Sequence, residues 1–405
     1  MNFDDSPEEH EFRMRVRKWL AENIPSDLPA DNEPQDAAAS LRAAKAWQAR
    51  KAGAGYASIT WPKEWGGQGG TPIQQVIYDQ EEARYNIPYN GHFAIGLGMC
   101  IPTMMAHATP DQLKRYVKPA LYGEEIWCQL FSEPGAGSDL AGVRTRASKD
   151  GDDWVISGQK TWTSGAHEAD YGILITRSDP TVPKHKGLTF FFVDMKSPGI
   201  EVRPIRQISG EAEFNDVYFN DVRIPDTHRL GEPGEGWKVA LTTLMNERFT
   251  VSGSMGTPDA PEIMTLAREA QIAGQPALSH GAVRERIADW YVAQQGLVLN
   301  KFRTITQLSR GEIPGPESSI GKAVSGAQAQ QVAAFALELM GPAGMTCPPA
   351  GQTDVKAFHD SWMLSIAMRI AGGTDEILRN IIAERVLGMP AEIRVDKDIP
   401  FNTIN

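Results

Sequence analysis

The pattern of apolar and polar positions first predicts a helical part. Helical spacing covers residues 8–25 and, after a glycine-dense loop at 61–70, returns from about 73 to 122. Pro25 ends the first of these helices. Its apolar stripe consists of Phe12, Val16, Trp19 and Leu20. We therefore predict an N-terminal α-helical domain over residues 1–122.

The periodicity changes between about residues 124 and 229, where short β-rich runs alternate with turn sequences. The runs are 126–131, 154–156, 172–176, 188–193, 200–202 and 217–219. Because no long helices separate them, the pattern disfavours a doubly wound parallel sheet. It predicts a compact antiparallel β-barrel or sandwich as the middle domain, residues 123–230.

Long helical patterns return after the glycine-rich turn at 231–236. We predict helices at 237–256, 282–310 and 318–340, and two more between 356 and 387. Residues 258–280 have a weak pattern, and we expect a mobile or irregular stretch there. The fold class is therefore α+β, with a C-terminal helical bundle over residues 231–405.

Composition narrows the possible partners and the compartment. The net charge of −11 opposes binding to nucleic acid. No segment approaches the roughly 20 consecutive apolar residues of a membrane span, and the start has no apolar run of signal-peptide type. Cys100, Cys128 and Cys347 are far apart and odd in number, which fits neither a disulfide framework nor a metal site. We expect a cytoplasmic protein without a metal.

A glycine-rich segment, Ser132-Glu-Pro-Gly-Ala-Gly-Ser-Asp139, follows the first predicted strand. Such a turn can bring backbone N–H groups close to a pyrophosphate, although a plain turn between strands is the simpler interpretation. It is not the dinucleotide fingerprint of a βαβ unit, because Leu140 stands where the third glycine belongs.

A second segment, Gly158-Gln-Lys-Thr-Trp-Thr-Ser-Gly165, places Trp162 beside hydroxyl side chains at the end of a strand. The indole could stack on a flat heteroaromatic ring while a hydroxyl or amide bonds to a ring nitrogen. Taken alone, this segment is more simply interpreted as one with a core tryptophan. The two segments lie in one β domain, which strengthens the interpretation that they share a ligand.

These segments, with others, resemble the acyl-CoA dehydrogenase family over essentially the whole chain. The motifs are Pro62 to Gly70, Glu133 to Asp139, Gly158-Gln-Lys160 with Trp162, Gly234-Glu-Gly236, Glu338 to Gly344 and Gly372 to Arg379. The resemblance implies a C-terminal four-helix bundle, an FAD cofactor and an acyl-CoA substrate. It also implies oxidation to the trans-2-enoyl thioester, as part of fatty acid and lipid β-oxidation, with electrons passing to an electron-transfer flavoprotein.

The same resemblance assigns site residues in the middle domain. Phe131, Ser132 and Ser138 would line FAD and the CoA phosphate region, so Ser138 would also bind substrate. Trp162 and Ser164 would pack against the flavin ring and hydrogen-bond to it.

Four further FAD contacts are implied in the C-terminal domain. Glu338 and Gly341 would approach the adenosine end of an FAD shared across a dimer, and Thr374 and Glu376 would contact FAD from the last helical segment.

The reaction also needs a carboxylate base. Members of the family place it at one of two positions, and one of these is Gly372 here, which cannot act as a base. The other is Glu247, on the first helix of the last domain, as in isovaleryl, long-chain and steroid side-chain enzymes. Glu247 shares an apolar row with Ala240, Leu244 and Val251. Arg248 is expected to hold substrate or structure.

One family feature is missing. Homomeric members carry an Arg-x-x-Phe-Gly segment whose arginine reaches the FAD of the neighbouring subunit, and residues 275–289 contain no Phe-Gly. Either Arg284 or Arg286 substitutes, or FAD is held without this contact, or a second, non-identical subunit supplies the arginine. The assembly is therefore expected to be a homodimer or homotetramer, or a heteromer with a related subunit.

Two alternative functions remain at this stage. In an acyl-CoA oxidase, oxygen would reoxidise the flavin. A non-enzymatic subunit would only stabilise a true dehydrogenase, but the combination of Trp162, Ser164 and Glu247 opposes that interpretation.

Overall fold

The computed structural model describes residues 5–25, 37–251, 260–310, 312, 315–346 and 353–404. The described chain forms two compact units. The larger contains Phe12–Leu28, Pro34–Thr250 and Glu392–Asn405, and the smaller contains mainly Val251–Ala391. The domain boundaries near residues 122 and 230 stay predictions.

Six helices precede the sheet. They are α1 (Pro7–Asn23), α2 (Ala37–Gly53), α3 (Pro72–Glu82), α4 (Gly91–Ile95), α5 (Ile101–His107) and α6 (Pro110–Leu121). Both spans predicted as helical are confirmed. Helix α2 was not predicted, because eight of its residues are alanine and its buried face includes Gln48 and Lys51, so it lacks a clear apolar stripe.

Helices α4 and α5 are joined by one wide π turn, Gly96–Cys100. Thr103 on α5 donates its hydroxyl hydrogen bond to the Met99 carbonyl within that turn, at 2.7 Å. Such turns accommodate an extra residue and are frequent near functional sites.

Eight strands form one sheet in the larger unit. They are β1 (Trp127–Leu130), β2 (Arg146–Asp150), β3 (Asp153–Ser164), β4 (Tyr171–Arg177), β5 (Leu188–Asp194), β6 (Ile200–Pro204), β7 (Phe214–Pro225) and β8 (Arg229–Gly234). Their order is β6-β7-β3-β2-β4-β5-β8, with β1 also paired to β4. Five of the six predicted runs lie within these strands, and the run 126–131 extends one residue beyond β1 at each end.

The sheet differs from the prediction in two respects. Strands β2 and β8 were not predicted, because Ala147 and Leu230 are their only fully buried residues. In addition, β1 and β2 both pair with β4 in parallel, so the sheet is mixed although its other pairings are antiparallel.

Helix α7 (Gly236–Val251) closes the main segment of the larger unit. The smaller unit contains α8 (Ala260–Glu269), α9 (Gly281–Ser309), α10 (Ser318–Leu339), α11 (Thr353–Met368) and α12 (Asp375–Ile381). The prediction of an irregular stretch was wrong for residues 260–280. Helix α8 and a short hairpin, β9 (Gln271–Ile272) with β10 (Gln275–Pro276), occupy it.

Helices α8, α9 and α10 share one apolar core, and α11 packs along α10. The core contains Ile263, Ala267, Ile287, Trp290, Val332 and Phe335. None of the described helices combines the length and apolar character that a membrane crossing requires.

Residues 392–404 return to the larger unit. Phe401 is buried there and donates its backbone N–H to the Val182 carbonyl. Its ring lies under the Arg177 guanidinium, 3.8 Å from the ring centre, which is a close cation–π contact. Lys184 forms a 2.6 Å ion pair with Asp396. We call residues 392–404 the return segment.

Candidate active site

A buried ion pair connects the two segments that the sequence indicated. The Lys160 ammonium on β3 donates to Glu133 Oε1 at 2.8 Å and to the Phe131 carbonyl at 3.0 Å. Glu133 also accepts the backbone N–H groups of Arg144 and Thr145. Each carboxylate oxygen therefore has a partner, as burial of a charge requires.

The pKa values of both members of this pair differ from those of the exposed side chains. It lowers the pKa of Lys160 to about 8, against the opposing attraction of the Glu133 carboxylate. For Glu133 burial raises the pKa, but Lys160 and the N–H donors outweigh it, so the net pKa is lowered. The pair is ionised at neutral pH.

The glycine-rich segment forms a tight turn. The backbones of Glu133 and Ala136 exchange two hydrogen bonds of 3.0 Å each. No atom lies within 4 Å of the place that a Cβ would take on Gly135 or Gly137. Ser138 is exposed beyond them. The turn therefore leaves its backbone open to a ligand.

The other two predicted residues of this segment lie at the end of β1. Phe131 is buried, and its ring meets Phe190 edge-on with centroids 5.7 Å apart. Ser132 is half-buried, and its carbonyl accepts the Thr161 backbone N–H at 2.9 Å. This bond joins the glycine-rich segment to the strand that carries Trp162.

Trp162 lies at an irregularity of β3. The pairing of β3 with β7 shifts register between Lys160 and Thr163, and Trp162 has a left-handed backbone with φ 58°. A non-glycine residue in this region is uncommon and stores strain. The indole is 59% exposed and touches Phe214 edge-on. The alternative that Trp162 is a core residue is therefore wrong.

Ser164 ends β3 and lines a cavity of about 390 Å³ in the larger unit. Gly91 and Ile95 of α4 also line this cavity. His92 and Glu168 also line it, with His92 Nδ1 2.7 Å from Glu168 Oε2. Sequence reasoning did not identify this histidine–carboxylate pair, because its members are distant along the chain and neither is part of a motif.

Position 247 belongs to α7, which is tied to α5 by buried hydroxyls. Thr243 Oγ1 lies 2.9 Å from Thr103 Oγ1, and both side chains are fully buried. Ala240 is buried on the same helix, so the described part of the predicted row faces inward. The side chains of Glu247 and Arg248 lie outside the described residues.

In the smaller unit, Glu338 near the end of α10 is exposed and pairs with Arg286 at 3.3 Å. The Arg286 guanidinium also lies over the Phe335 ring, 4.7 Å from its centre. Gly341 follows α10 with a left-handed φ of 58°. One of the two candidate replacement arginines thus lies beside a predicted FAD contact.

Thr374 caps α12, since its hydroxyl accepts the Ile377 backbone N–H. Glu376 is exposed in the first turn of that helix. Before the cap, Gly372 and Gly373 adopt φ of 63° and 98°, a region that favours glycine. A glutamate at position 372 would be strained there, which is consistent with a base elsewhere.

The described residues show nothing that requires metal chemistry or disulfides. They contain no group of three or more His, Cys, Asp or Glu placed to hold a metal ion. Cys100 and Cys128 are buried free thiols, and Cys347 lies outside the described residues.

Curated relatives match most of the chain. The acyl-CoA dehydrogenase IpdE1 of Mycobacterium tuberculosis is 36% identical over 392 residues, 95% of this chain and 98% of the relative. The acyl-CoA dehydrogenase FadE34 of the same organism is 38% identical over 347 residues, 85% of this chain, but the match spans only 46% of that longer protein.

Solved structures give the same fold. "Tcur3481-Tcur3483 steroid ACAD" has a TM-score of 0.79 at 28% identity, covering 97% of this chain and all of that chain. The ChsE4-ChsE5 complex from Mycobacterium tuberculosis has a TM-score of 0.77 at 26% identity, with the same coverage.

Three family models match consecutive parts of the chain. They are the acyl-CoA dehydrogenase N-terminal domain at residues 6–124, the middle domain at 128–222 and the C-terminal domain at 234–387. With the fold and the relatives above, these matches show that the chain belongs to the acyl-CoA dehydrogenase family of FAD-dependent oxidoreductases.

Proposed function

We propose that this enzyme oxidises an acyl-CoA thioester to its trans-2-enoyl product, with Glu247 as the base that removes the proton next to the thioester carbonyl. The observation that carries the proposal is the exposed Trp162 ring, held on a left-handed backbone beside the open glycine-rich turn. An aromatic face without a covering side chain, next to unblocked backbone, fits a flat cofactor with a pyrophosphate.

The described residues fit FAD in both units. In the larger unit, Ser132, Ser138, Trp162 and Ser164, with the Phe131 segment behind them, would hold the flavin and phosphate regions. Bound FAD would supply the acceptor for the hydride from the third acyl carbon.

In the smaller unit, the proposed FAD contacts are Glu338, Gly341, Thr374 and Glu376. Their support is the exposed carboxylates, the open backbone at Gly341 and the capped start of α12. Arg286, paired with Glu338, is the cation that we assign to the role of the missing motif arginine.

The assignment of Glu247 rests on its helix. Thr243, one helical turn before position 247, is buried against Thr103, and Ala240 is buried on the same helix. The helical spacing of 240, 243 and 247 is therefore the basis for proposing the base at 247. A carboxylate on the same face as Ala240 and Thr243 would be shielded from water, which favours a base that works near neutral pH. We propose that Arg248, the next residue, helps to hold the substrate.

Glu247→Gln tests the mechanism directly. The amide retains the shape but cannot accept a proton, so the purified variant should stay yellow and lose nearly all turnover, by about 10³-fold or more. Flavin bleaching by acyl-CoA thioesters measures this loss. The matched control is Glu285→Gln, which changes an exposed glutamate on α9. Turnover by Glu247→Gln at the normal rate would remove this residue from the mechanism.

The electron acceptor is proposed to be an electron-transfer flavoprotein. The competing acyl-CoA oxidase function keeps the same proton transfer but passes electrons to oxygen. Oxygen uptake during turnover, measured against reduction of a dye acceptor, separates the two. Uptake matched one-to-one with product would establish the oxidase.

We further propose that the chain forms a homodimer or homotetramer, or a heteromer with a related subunit. Support for a heteromer comes from the similarity to the ChsE4-ChsE5 complex. The similarity to a steroid ACAD supports a bulky acyl group over a short linear one. Sedimentation of the purified chain, with and without a co-expressed related subunit, tests the assembly.

A further inference from the structure

A fully buried asparagine lies at a position of β7 where the strand pattern favours an apolar side chain. From residue 214 to 219 the strand alternates, with Asn215, Val217 and Phe219 buried and the residues between them half-buried. Val217 and Phe219 belong to an apolar core of the sheet. An amide at the start of this row is costly unless its hydrogen-bonding groups have partners.

The Asn215 amide joins the ends of β3 and β7. Its Nδ2 donates to the Thr163 carbonyl at 2.9 Å and to the Glu213 carbonyl at 3.1 Å. Its Oδ1 lies 3.2 Å from His167 Nδ1. Because Oδ1 can only accept, that ring nitrogen carries the proton. Both protons of the amide and its oxygen therefore have partners.

These bonds lie at the irregularity of β3 that contains Trp162. From Lys160 to Thr163, β3 advances by three residues, while β7 advances by two, from Val217 to Asn215. One extra residue in one strand of an antiparallel pair is a β-bulge. Thr163 pairs with Asn215 directly after the bulge, and its carbonyl accepts from the amide.

The amide therefore holds a residue next to the strained one. The left-handed backbone of Trp162, with φ 58°, persists only where the surrounding structure over-determines it. Before Trp162, the Thr161 N–H donates to the Ser132 carbonyl. After Trp162, the Asn215 amide donates to the Thr163 carbonyl. The Trp162 backbone is thus fixed from both sides.

The same end of β7 also contacts the Trp162 ring. The ring meets Phe214 edge-on, with centroids 5.9 Å apart. Phe214 lies between Asn215 and Glu213, and the Glu213 carbonyl accepts both from the amide and from the Gly165 N–H. Loss of the amide would therefore disturb a side chain that the ring touches as well as the backbone that carries the ring.

We propose that Asn215 is a positioning residue for the flavin site, because its amide holds the β3 bulge in the form that presents the Trp162 ring to FAD. The inference rests on the proposed function, since contact between Trp162 and FAD is part of it. Asn215 is fully buried, so it acts through Trp162 and not by binding the cofactor itself.

Asn215→Leu tests the inference in a double-mutant cycle with Trp162→Ala. Leucine has a similar size but cannot form the three hydrogen bonds. We expect it to weaken FAD binding about tenfold, as loss of the ring itself would. In the Trp162→Ala background the same change should alter the FAD dissociation constant by less than about twofold, because the ring is already absent. Titration followed by flavin fluorescence measures both. An equal loss in both backgrounds, or none in either, would overturn the inference.

The matched control is Gln48→Leu. Gln48 is also a buried amide that donates to a backbone carbonyl, that of Leu121 at 2.8 Å, but it joins α2 to α6. This variant should lower the melting temperature as Asn215→Leu does and keep the FAD affinity of the unmodified protein. A similar loss of FAD affinity in both variants would mean that Asn215 acts by general stabilisation, which contradicts the inference.

Asn215→Ser repeats the cycle if the leucine variant does not fold. Its hydroxyl can donate one bond in place of two. The loss of FAD affinity should then be several-fold, and it should again depend on the presence of Trp162. A loss that is the same in the Trp162→Ala background would overturn the inference.

The position of the ring can be followed directly by fluorine NMR of the full-length protein labelled with 5-fluorotryptophan. The Trp162 resonance is assigned by its loss in Trp162→Ala. It should shift in Asn215→Leu and stay in place in Gln48→Leu, both with and without FAD. An unchanged Trp162 resonance in Asn215→Leu would overturn the inference even if FAD binding falls.

The two proposals fail in different ways. Normal FAD affinity in Trp162→Ala, with a shifted Trp162 resonance in Asn215→Leu, would overturn the flavin contact of the proposed function. Weakened FAD binding in Trp162→Ala, with an unshifted resonance in Asn215→Leu, would overturn only the role of Asn215.

Discussion

Lys160 and Glu133 form an ion pair of 2.8 Å within the interior of the larger unit, and the lysine side chain is fully buried. Because Lys160 also bonds to the Phe131 carbonyl, the pair connects the end of β1 with the bulged part of β3. The two segments proposed to contact FAD are thus held together by one buried charge. Removal of either partner would leave the other charge buried without compensation.

Lys160→Met is expected to lower the free energy of unfolding by about 3–5 kcal/mol. The double variant Lys160→Met/Glu133→Gln should recover part of that loss, since it leaves no buried charge. Urea denaturation of both variants measures the difference. If Lys160→Met were as stable as the unmodified protein, the ion pair would make no contribution to the free energy of unfolding.

The same pair predicts a pH dependence. Burial lowers the pKa of Lys160 to about 8, from 10.5 in the unfolded chain. Between these values the unfolded chain binds more protons, so the contribution of Lys160 to stability rises with increasing pH. The stability difference between the unmodified protein and Lys160→Met should therefore grow from pH 8 to pH 10.5. A difference that falls over this window would contradict the assigned shift.

Two substitutions at Trp162 distinguish the strain of its left-handed backbone from the contact of its ring with FAD. Trp162→Ala and Trp162→Gly both remove the indole and should weaken FAD binding by about 1–2 kcal/mol, roughly tenfold. Glycine adopts the left-handed backbone more easily, so the FAD-free Gly variant should melt above the Ala variant. Flavin fluorescence titration and thermal denaturation measure the two effects. Ile208→Ala, at a highly exposed position, is the control. Normal FAD affinity in Trp162→Ala would exclude the ring contact.

Arg286→Ala should weaken FAD binding by on the order of tenfold, because a guanidinium is suited to a pyrophosphate. Arg284→Ala serves as the matched control, since Arg284 is also exposed on α9. The dissociation constant of FAD, measured on the purified assembly, distinguishes them. Unchanged affinity in Arg286→Ala would favour an arginine supplied by a second subunit.

Thr243→Val tests whether the hydroxyl contact with Thr103 positions the base. Valine keeps the shape but removes the bond, which should cost about 1–2 kcal/mol of stability and lower kcat several-fold, with KM little changed. Thr304→Val is the control, because that hydroxyl bonds to the Asn300 carbonyl of its own helix. Equal kcat in the two variants would show that the contact only stabilises the fold.

The buried strands could be predicted from the sequence because their own residues are mostly apolar. All residues of β5 are buried except Asp194 at its end, and an apolar run of that length between turns is typical of a strand. Strand β2 has one buried residue, Ala147. Its strand geometry is determined by hydrogen bonds to β3 and β4, which local sequence does not report.

The candidate site also contains features that the local sequence predicts and features that depend on distant residues. The sequence indicated Trp162, because glycines and hydroxyl residues surround it, but the register shift that exposes its ring depends on pairing with β7. A lysine within a strand is normally expected at the surface. Lys160 is buried because Glu133, 27 positions earlier, lies beside it.

The return segment makes the order of synthesis important for folding. The ring of Phe401 covers Arg177, whose guanidinium donates to the Ala141, Val143 and Lys184 carbonyls. The stretch after the glycine-rich turn therefore reaches its final packing only once residue 401 has left the ribosome. A chain that stalls in α12 would lack the Phe401 ring, so the Arg177 guanidinium would have no aromatic cover from it.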